Sequence, residues 1–283
     1  MDKFSPLLSE SDKVFWHQYI PFYTQVLSGI EKTGEFDILE VGVYNAQSIR
    51  LWRSLYPNAK ITGCDLNTDP TWFKDERIYY RQFDQSNLAL LTSALASLED
   101  PVILVDDGSH IPFHQLIFLD AATSAIVDQP INKKRVVILE DLHTSLEHSI
   151  ANRQPKKLKQ RLKNVVNKNH KSVNLYQDAC EFINPFSLLL SVEKVVNGTL
   201  NKNQLLSSIE KSCPNHKLFH LIEHVTINCI KADSIKVYRR ALLPDYCYKC
   251  GSNQFDHLTL QCASCGEDGY KYADSISIAV SYN

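Results

Sequence analysis

The chain has 283 residues, 44% of them apolar, and its 30 basic and 32 acidic side chains leave a formal net charge of −2. A balance so near neutrality gives no global field to gather nucleic acid, and the length suits one large domain or one domain with a small appendage. The start, MDKFSPLLSESDK, lacks a basic region ahead of an apolar core, and no apolar run approaches the ~20 residues of a membrane span, so a cytoplasmic protein without a transmembrane segment is expected.

From Ser11 to about Lys32 apolar and aromatic residues recur at helical spacing, with Ser9 and Ser11 as candidate caps and Pro21 kinking or dividing the helix. FDILEVG follows as a short apolar strand and a glycine turn, then a helix from about Ala46 to Leu55. AKITGCDLN reads as a second strand ending at Asp65, and RIYYRQFDQSN as a third ending near Asp84. A helix through LALLTSALASL leads to the fourth strand, PVILVDDGSH, and HQLIFLDAATSAI supplies the helix before the fifth, KRVVILEDLH. Strands of about five apolar residues alternating with helices predict an α/β fold, a Rossmann-like, doubly wound and mostly parallel sheet.

From Ala151 to Gln177 the chain carries eight Lys and Arg and no acid. That segment reads as the solvated face of a helical insertion spanning about 150–220, with further helices in FINPFSLLLSVEKVV and NQLLSSIEKSC. Val225 to Ile230 and Ser234 to Arg240 read as a hairpin that completes the sheet. These assignments predict one domain over 1–243 and a small unit over 244–283, closed by the strand SISIAVSYN.

Four of the eight cysteines define that small unit: Cys247 and Cys250 in CYKCG, Cys262 and Cys265 in CASCG, with eleven residues between the pairs. Two C-x-x-C turns, each with a glycine that lets the backbone turn under the sulfurs, fit a structural zinc ribbon. Two disulfides are the alternative, and a reducing compartment disfavours them. A closed four-thiolate site leaves no open position for a substrate.

In an open parallel sheet, ligands bind outside the carboxyl ends of the strands. Glu40, Gly42 and Ser48 frame the first turn there, and Asp65 is placed to accept hydrogen bonds from ribose hydroxyls. The turn lacks a full G-x-G-x-x-G, which favours a nucleoside without phosphates over a dinucleotide. An isolated E-x-G arises often by chance, and the Asp-Gly-Ser-His turn by itself is also explained as a cap on the next helix.

SDKVFWHQYIPFY, ILEVGVYNAQSIRLWRSLYPNAKITGCDLN, YYRQFDQSN, VDDGSH and LEDLHTS, in that order over about residues 10–145, together resemble class I S-adenosylmethionine-dependent methyltransferases. The resemblance is to the metal-dependent sugar O-methyltransferases of macrolide tailoring, the mycinamicin and macrocin type. It implies that Glu40 and Gly42 sit by the methionine part of the cofactor, Asp65 holds the ribose, and Asp84 and Gln85 face the adenine. It further implies that Asp107, Glu140 and Asp141 bind a divalent ion and that His110 is the general base. Asp106 is placed either by the cofactor or on loop amides, His114 on the following helix, and His17, Tyr19 and Tyr23 in a lid or in the core. Ala46 stands where the resembling turns commonly have glycine, which predicts a shifted loop.

Physical chemistry agrees with these roles. Three carboxylates at neighbouring strand ends repel one another unless a cation joins them, and oxygen ligation favours Mg²⁺, with Mn²⁺ or Ca²⁺ as alternatives. The implied function is O-methylation of a sugar or glycan, in polysaccharide or glycosylated-metabolite biosynthesis. A phosphorylated or lipid-linked acceptor would suit the basic segment, and a homo-oligomer is compatible with the sequence. Two readings compete: an RNA or other nucleic-acid methyltransferase gripping its substrate with the ribbon, and a non-catalytic scaffold module. The acidic motifs and the negative charge speak against the first, and the presence together of Asp107, His110, Glu140 and Asp141 speaks against the second.

Overall fold

A computed structural model describes residues 11–15, 17–130, 132–145, 181–213, 215–241, 247, 250–255, 262–266 and 273–283. Ser9 and the basic stretch 156–171 lie outside the described residues.

Seven strands form one sheet in the order β3-β2-β1-β4-β5-β7-β6. These are β1 (Asp37–Val41), β2 (Lys60–Asp65), β3 (Ile78–Gln82), β4 (Pro101–Asp106), β5 (Arg135–Leu139), β6 (Ser234–Ala241) and β7 (Ala273–Tyr282). The first five pair in parallel, and β7 runs antiparallel between β5 and β6. Strand order reverses between β1 and β4, which places the crevice for a ligand at their carboxyl ends. This is a Rossmann-like, mostly parallel sheet, and the predicted alternation of strands and helices through β5 matches it.

The central strands read as unbroken apolar runs because helices cover both faces. All residues of β1, β4 and β5 are buried. On one face lie α1 (Asp12–Phe15), α2 (Ile20–Val26) and α3 (Gln47–Leu55), and Phe22, Ile49 and Trp52, with Tyr19 just before α2, share a core cluster with Ile38, Ile103 and Val105. Pro21 divides the amino-terminal helix, as expected, by starting α2. On the other face lie α4 (Leu88–Ala96) and α5 (Pro112–Val127), joined by α6 (Pro185–Val196), α7 (Lys202–Ser212) and α8 (His216–Ile230). Asparagine side chains cap the last three, Asn184, Asn201 and Asn215 each accepting a backbone N–H of the first turn.

Two expectations need correction. Val225 to Ile230 is not a strand but the last part of α8. Leu218, Ile222, Val225, Thr226 and Cys229 are all buried, a spacing of three and four that belongs to a helix. The partner of β6 is instead β7, so the last strand of the predicted 244–283 unit is an interior strand of the main sheet. Alternate Ile276, Ile278 and Val280 join the same core as Leu139 and Ile235, and burial on both faces drew the strand inward. The cysteine segment is therefore an excursion between β6 and β7. Likewise, α6 to α8 extend the helical layer, with Leu188, Leu189, Val192 and Ile222 in the core of α5.

Candidate functional site

The site begins at the turn after β1. Gly42 has a φ of 93°, and a β-carbon there would stand 2.0 Å from the carbonyl oxygen of Asp107. The β1 turn and the β4 loop therefore touch backbone to backbone, which only glycine permits. Gly42→Ala is expected to destabilise the fold by at least ~2 kcal/mol, read as a lower urea midpoint at unchanged slope. Tyr44 and Ala46 follow with φ of 50° and 60°, and Ala46 ends the turn as the left-handed N-cap of α3. The predicted departure at Ala46 thus keeps a glycine-like conformation, at a cost of about 1–2 kcal/mol for a residue with a β-carbon.

Asp65, at the end of β2, holds this turn: its Oδ2 accepts the backbone N–H groups of Val43 at 2.8 Å and Tyr44 at 3.2 Å. Trp72, in the connection between β2 and β3, donates to the Tyr44 carbonyl at 2.9 Å and packs on Tyr80. Between these parts and the ends of β4 and β5 opens a cavity of about 690 Å³. Gly42, Ser48, Asp65, Asp107, His110 and Asp141 line it, together with Tyr44, Asn45, Asn67, Thr68, Asp69 and Trp72. Among the described residues its lining contains four carboxylates and neither Lys nor Arg.

Four residues expected at the cofactor do not line this cavity. Glu40 is fully buried beneath it, accepting the indole N–H of Trp52 at 2.8 Å. Asp84 lies exposed past β3 and accepts the N–H of Ser86. Gln85 and Asp106 form a brace: the Gln85 amide donates to both Asp106 oxygens at 2.8 Å, and its carbonyl accepts the N–H of Ser109 at 2.9 Å. Burial pushes the Asp106 carboxyl up to about 6, against the Gly108 N–H and His110, which favour its charged form. The brace explains Gly108 as well, since a β-carbon there would stand 2.5 Å from the Gln85 oxygen. Ser109 shares its hydroxyl with His114 Nδ1 at 2.9 Å, so His114 is a support on α5, as expected.

The brace holds the loop that carries Asp107 and His110. His110 and Asp141 both have a φ of 54°, in the left-handed region that few residues other than glycine adopt. Strain of about 1–3 kcal/mol each persists where surrounding structure imposes it, and such positions cluster at functional sites. His110 Nε2 lies 3.9 Å from Asp141 Oδ2. Asp107, His110 and Asp141 each offer a ligand atom, and these atoms lie within 4.8 Å of one another. Tyr19 donates to Asp141 Oδ1 at 2.8 Å, and His17 and His143 stand 3.5 and 3.9 Å from the same oxygen. Burial opposes ionisation of Asp141, yet the three facing histidines outweigh it and hold its carboxyl below the ordinary value.

Glu140, expected beside Asp107 and Asp141, shares a buried ion-pair partner with Asp107. Lys13, absent from the sequence-based site, places its ammonium 2.5 Å from Glu140 Oε2, 2.6 Å from Asp107 Oδ2 and 3.2 Å from Glu40 Oε1. The other Glu140 oxygen accepts the Tyr23 hydroxyl. Burial disfavours the Lys13 charge, but Asp107 and Glu140 outweigh it and raise its pKa well above the ordinary value. Burial likewise raises Asp107 and Glu140, opposed by Lys13. Of His17, Tyr19 and Tyr23, read as lid or core, the tyrosines are buried and hydrogen-bond Asp141 and Glu140, and His17 stands 3.5 Å from Asp141; none of the three lines the cavity. A single lysine in a one-turn helix carries no periodic signal. Its burial beside acids at the ends of three neighbouring strands is a tertiary fact.

Away from this site, Cys247 Sγ lies 3.8 Å from Cys265 Sγ, and Cys250 Sγ lies 3.5 Å from Cys262 Sγ. Four sulfurs about 2.3 Å from a shared tetrahedral centre would be ~3.8 Å apart, so these four fit a zinc ion and are not disulfide-bonded. Gly251 and Gly266 take φ of 73° and 67° under the thiols. Among the described residues no helix is long and apolar enough to cross a membrane.

No protein-family model matches the chain. It is similar to two curated Streptomyces olivaceus proteins. One is 8-demethyl-8-alpha-L-rhamnosyl tetracenomycin-C 2'-O-methyltransferase, 27% identical over 142 residues, covering 48% of this chain and 36% of that protein. The other is 8-demethyl-8-(2-methoxy-alpha-L-rhamnosyl)-tetracenomycin-C 3'-O-methyltransferase, 27% identical over 107 residues, covering 35% of this chain and 27% of that protein. The match thus spans about a third of the length of these relatives. Among solved structures, MycE methyltransferase in complex with Mg and SAH superposes with a TM-score of 0.45 at 21% identity, covering 70% of this chain and 47% of that one.

Proposed function

We propose that this chain transfers a methyl group from S-adenosylmethionine to a hydroxyl of a sugar, with Asp107 and Asp141 holding a divalent ion and His110 acting as general base. The observation that carries the proposal is the convergence of Asp107, His110 and Asp141 on one end of a cavity whose other end is built by Ser48, Asp65 and Trp72. Among the described residues the lining offers carboxylates and neither Lys nor Arg, which suits a sulfonium cation. Asp65 keeps acceptor capacity for ribose hydroxyls, since a carboxylate offers about four lone-pair sites and the turn uses only part of them. The similarity to rhamnosyl O-methyltransferases supports a sugar as acceptor.

A sugar hydroxyl is a poor nucleophile at neutral pH. A divalent ion, when bound, supplies Lewis acidity that lowers the pKa of that hydroxyl; oxygen ligands favour Mg²⁺. His110 takes the hydroxyl proton on Nε2 while the acceptor oxygen bonds to the methyl carbon and the sulfonium S–C bond breaks, leaving a thioether. Asp141 faces the imidazole, its Oδ2 3.9 Å from Nε2. The Gln85–Asp106 brace holds the loop that carries Asp107 and His110.

Acceptor choice belongs to the parts that leave the sheet on this side. The chain exits β5 into the segment with the basic stretch, and exits β6 into the cysteine ribbon, both at the edge where the site lies. A phosphorylated or lipid-linked glycan is therefore the first acceptor class to test. Calorimetric titration with S-adenosylmethionine, then transfer of labelled methyl into rhamnosylated compounds and glycan fractions, is expected to show tight cofactor binding and label in a sugar. Absence of cofactor binding, or label recovered only in RNA, would sink the proposal.

For the ribbon we propose structural zinc. Metal analysis of the purified chain is expected to find one zinc per chain, and Cys250→Ser to reduce that content and lower thermal stability. A zinc-free wild type would refute it.

A further inference from the structure

We propose that His216 and His220, on the first two turns of α8, form an open site for a borderline divalent transition ion of the Zn²⁺, Ni²⁺ or Cu²⁺ class. The site is separate from the cysteine ribbon and does not rest on the methyl-transfer reading.

α8 carries histidines at 216, 220 and 224, a spacing of four that puts all three on one face of the helix. Each is exposed, whereas Leu218, Ile222 and Val225 on the opposite face are buried, so packing does not call for imidazoles here. His216 Nε2 stands 3.2 Å from His220 Nε2. Two nitrogens each roughly 2.0–2.1 Å from one tetrahedral ion would be ~3.3 Å apart, so the pair stands at ligand spacing. The rings meet edge to face with centroids 4.2 Å apart, and both lie in solvent, where a small turn about the Cβ–Cγ bond aims each lone pair at one ion. Paired histidines four apart on a helix are a known way to hold such an ion.

A second contact fixes the tautomer of His220. Its Nδ1 lies 3.3 Å from Glu223 Oε2. A carboxylate oxygen accepts, so Nδ1–H donates and Nε2 keeps its lone pair toward His216. A carboxylate behind a ligating imidazole is the common outer support of a metal site, and here it also supplies negative charge near a helix N-terminus, an end that by itself disfavours a cation. His224 is engaged instead by Asp120 of α5, whose Oδ1 lies 2.6 Å from its Nδ1. Two protein nitrogens leave the remaining coordination positions to water or an incoming donor, and imidazole suits borderline ions better than Mg²⁺.

Cu²⁺ is the probe, since divalent first-row ions bind such nitrogens most tightly at copper. The full chain, its zinc content measured beforehand, is titrated with Cu²⁺ by calorimetry and electron paramagnetic resonance. Wild type is expected to bind one more Cu²⁺ than a His216→Ala, His220→Ala double variant, with nitrogen ligation in its spectrum. Each single variant is expected to weaken that ion at least about tenfold, and the two losses to fall short of additive because either one ends chelation. Glu223→Gln is expected to weaken it about tenfold through His220, and His224→Ala to leave it within about twofold. These side chains are exposed, so the variants should keep the wild-type circular dichroism. Equal copper stoichiometry and affinity in wild type and the double variant would overturn the site and leave the two imidazoles as a hydrogen-bonded pair. A loss on His224→Ala equal to that on His220→Ala would overturn it as well.

Discussion

Replacing His110 by asparagine is expected to lower the rate of methyl transfer by about 10²–10⁴-fold, the range for loss of a general base, with cofactor affinity within about threefold of wild type. Asparagine is the informative substitution because His110 sits at a φ of 54°, where asparagine is tolerated better than most residues. Loss of rate then reports the imidazole and not a collapsed loop. Nothing in the Gln85–Asp106 brace or the Asp65 turn depends on the imidazole ring for its hydrogen bonds. Cofactor binding should therefore survive. Single-turnover transfer of labelled methyl, paired with calorimetry, measures both quantities. An unchanged rate would remove His110 from the chemistry, and loss of cofactor binding would recast it as a binding residue.

Removal of the divalent ion should be at least as severe. Asp141→Asn is expected to reduce transfer by about 10³-fold or more at saturating cofactor, and chelation of the wild type to do the same reversibly. Asp141 is asked to do two things at once: ligate the ion and face His110 at 3.9 Å. Asparagine keeps the shape and removes the charge. The left-handed backbone at Asp141 also suits asparagine, so the fold should not suffer. Full activity after exhaustive chelation, with metal analysis confirming an ion-free chain, would eliminate Lewis-acid assistance and leave His110 to act unaided.

Much of this site was legible before any fold was known. Buried parallel strands are apolar end to end, so β1, β2, β4 and β5 announced themselves as runs, and the acids at their ends stood out against that background. Asp65, Asp107, His110 and Asp141 do line one cavity. Asp106 was the opposite case. It is as prominent in VDDGSH as Asp107, yet a strand alternates its side chains, so one acid faces the cavity and its neighbour the brace. Gln85, expected at the adenine, turned out to be the other half of that brace.

The amino-acid sequence by itself determined the alternating α/β order through β5, the carboxyl-edge location of the acids, and the paired C-x-x-C-G turns, because each of these is a local pattern of period, punctuation or spacing. Only the tertiary structure decided three other matters. The closing strand became an interior strand between β5 and β6, since burial on both faces is settled by what packs above and below it. α8 won over a hairpin because its buried residues recur every three or four positions only when α5 lies beneath them. And Lys13, a lone cation in a single helical turn, became the centre of the acidic cluster, because charge pairing across three strands depends on distance in space and leaves no mark along the chain.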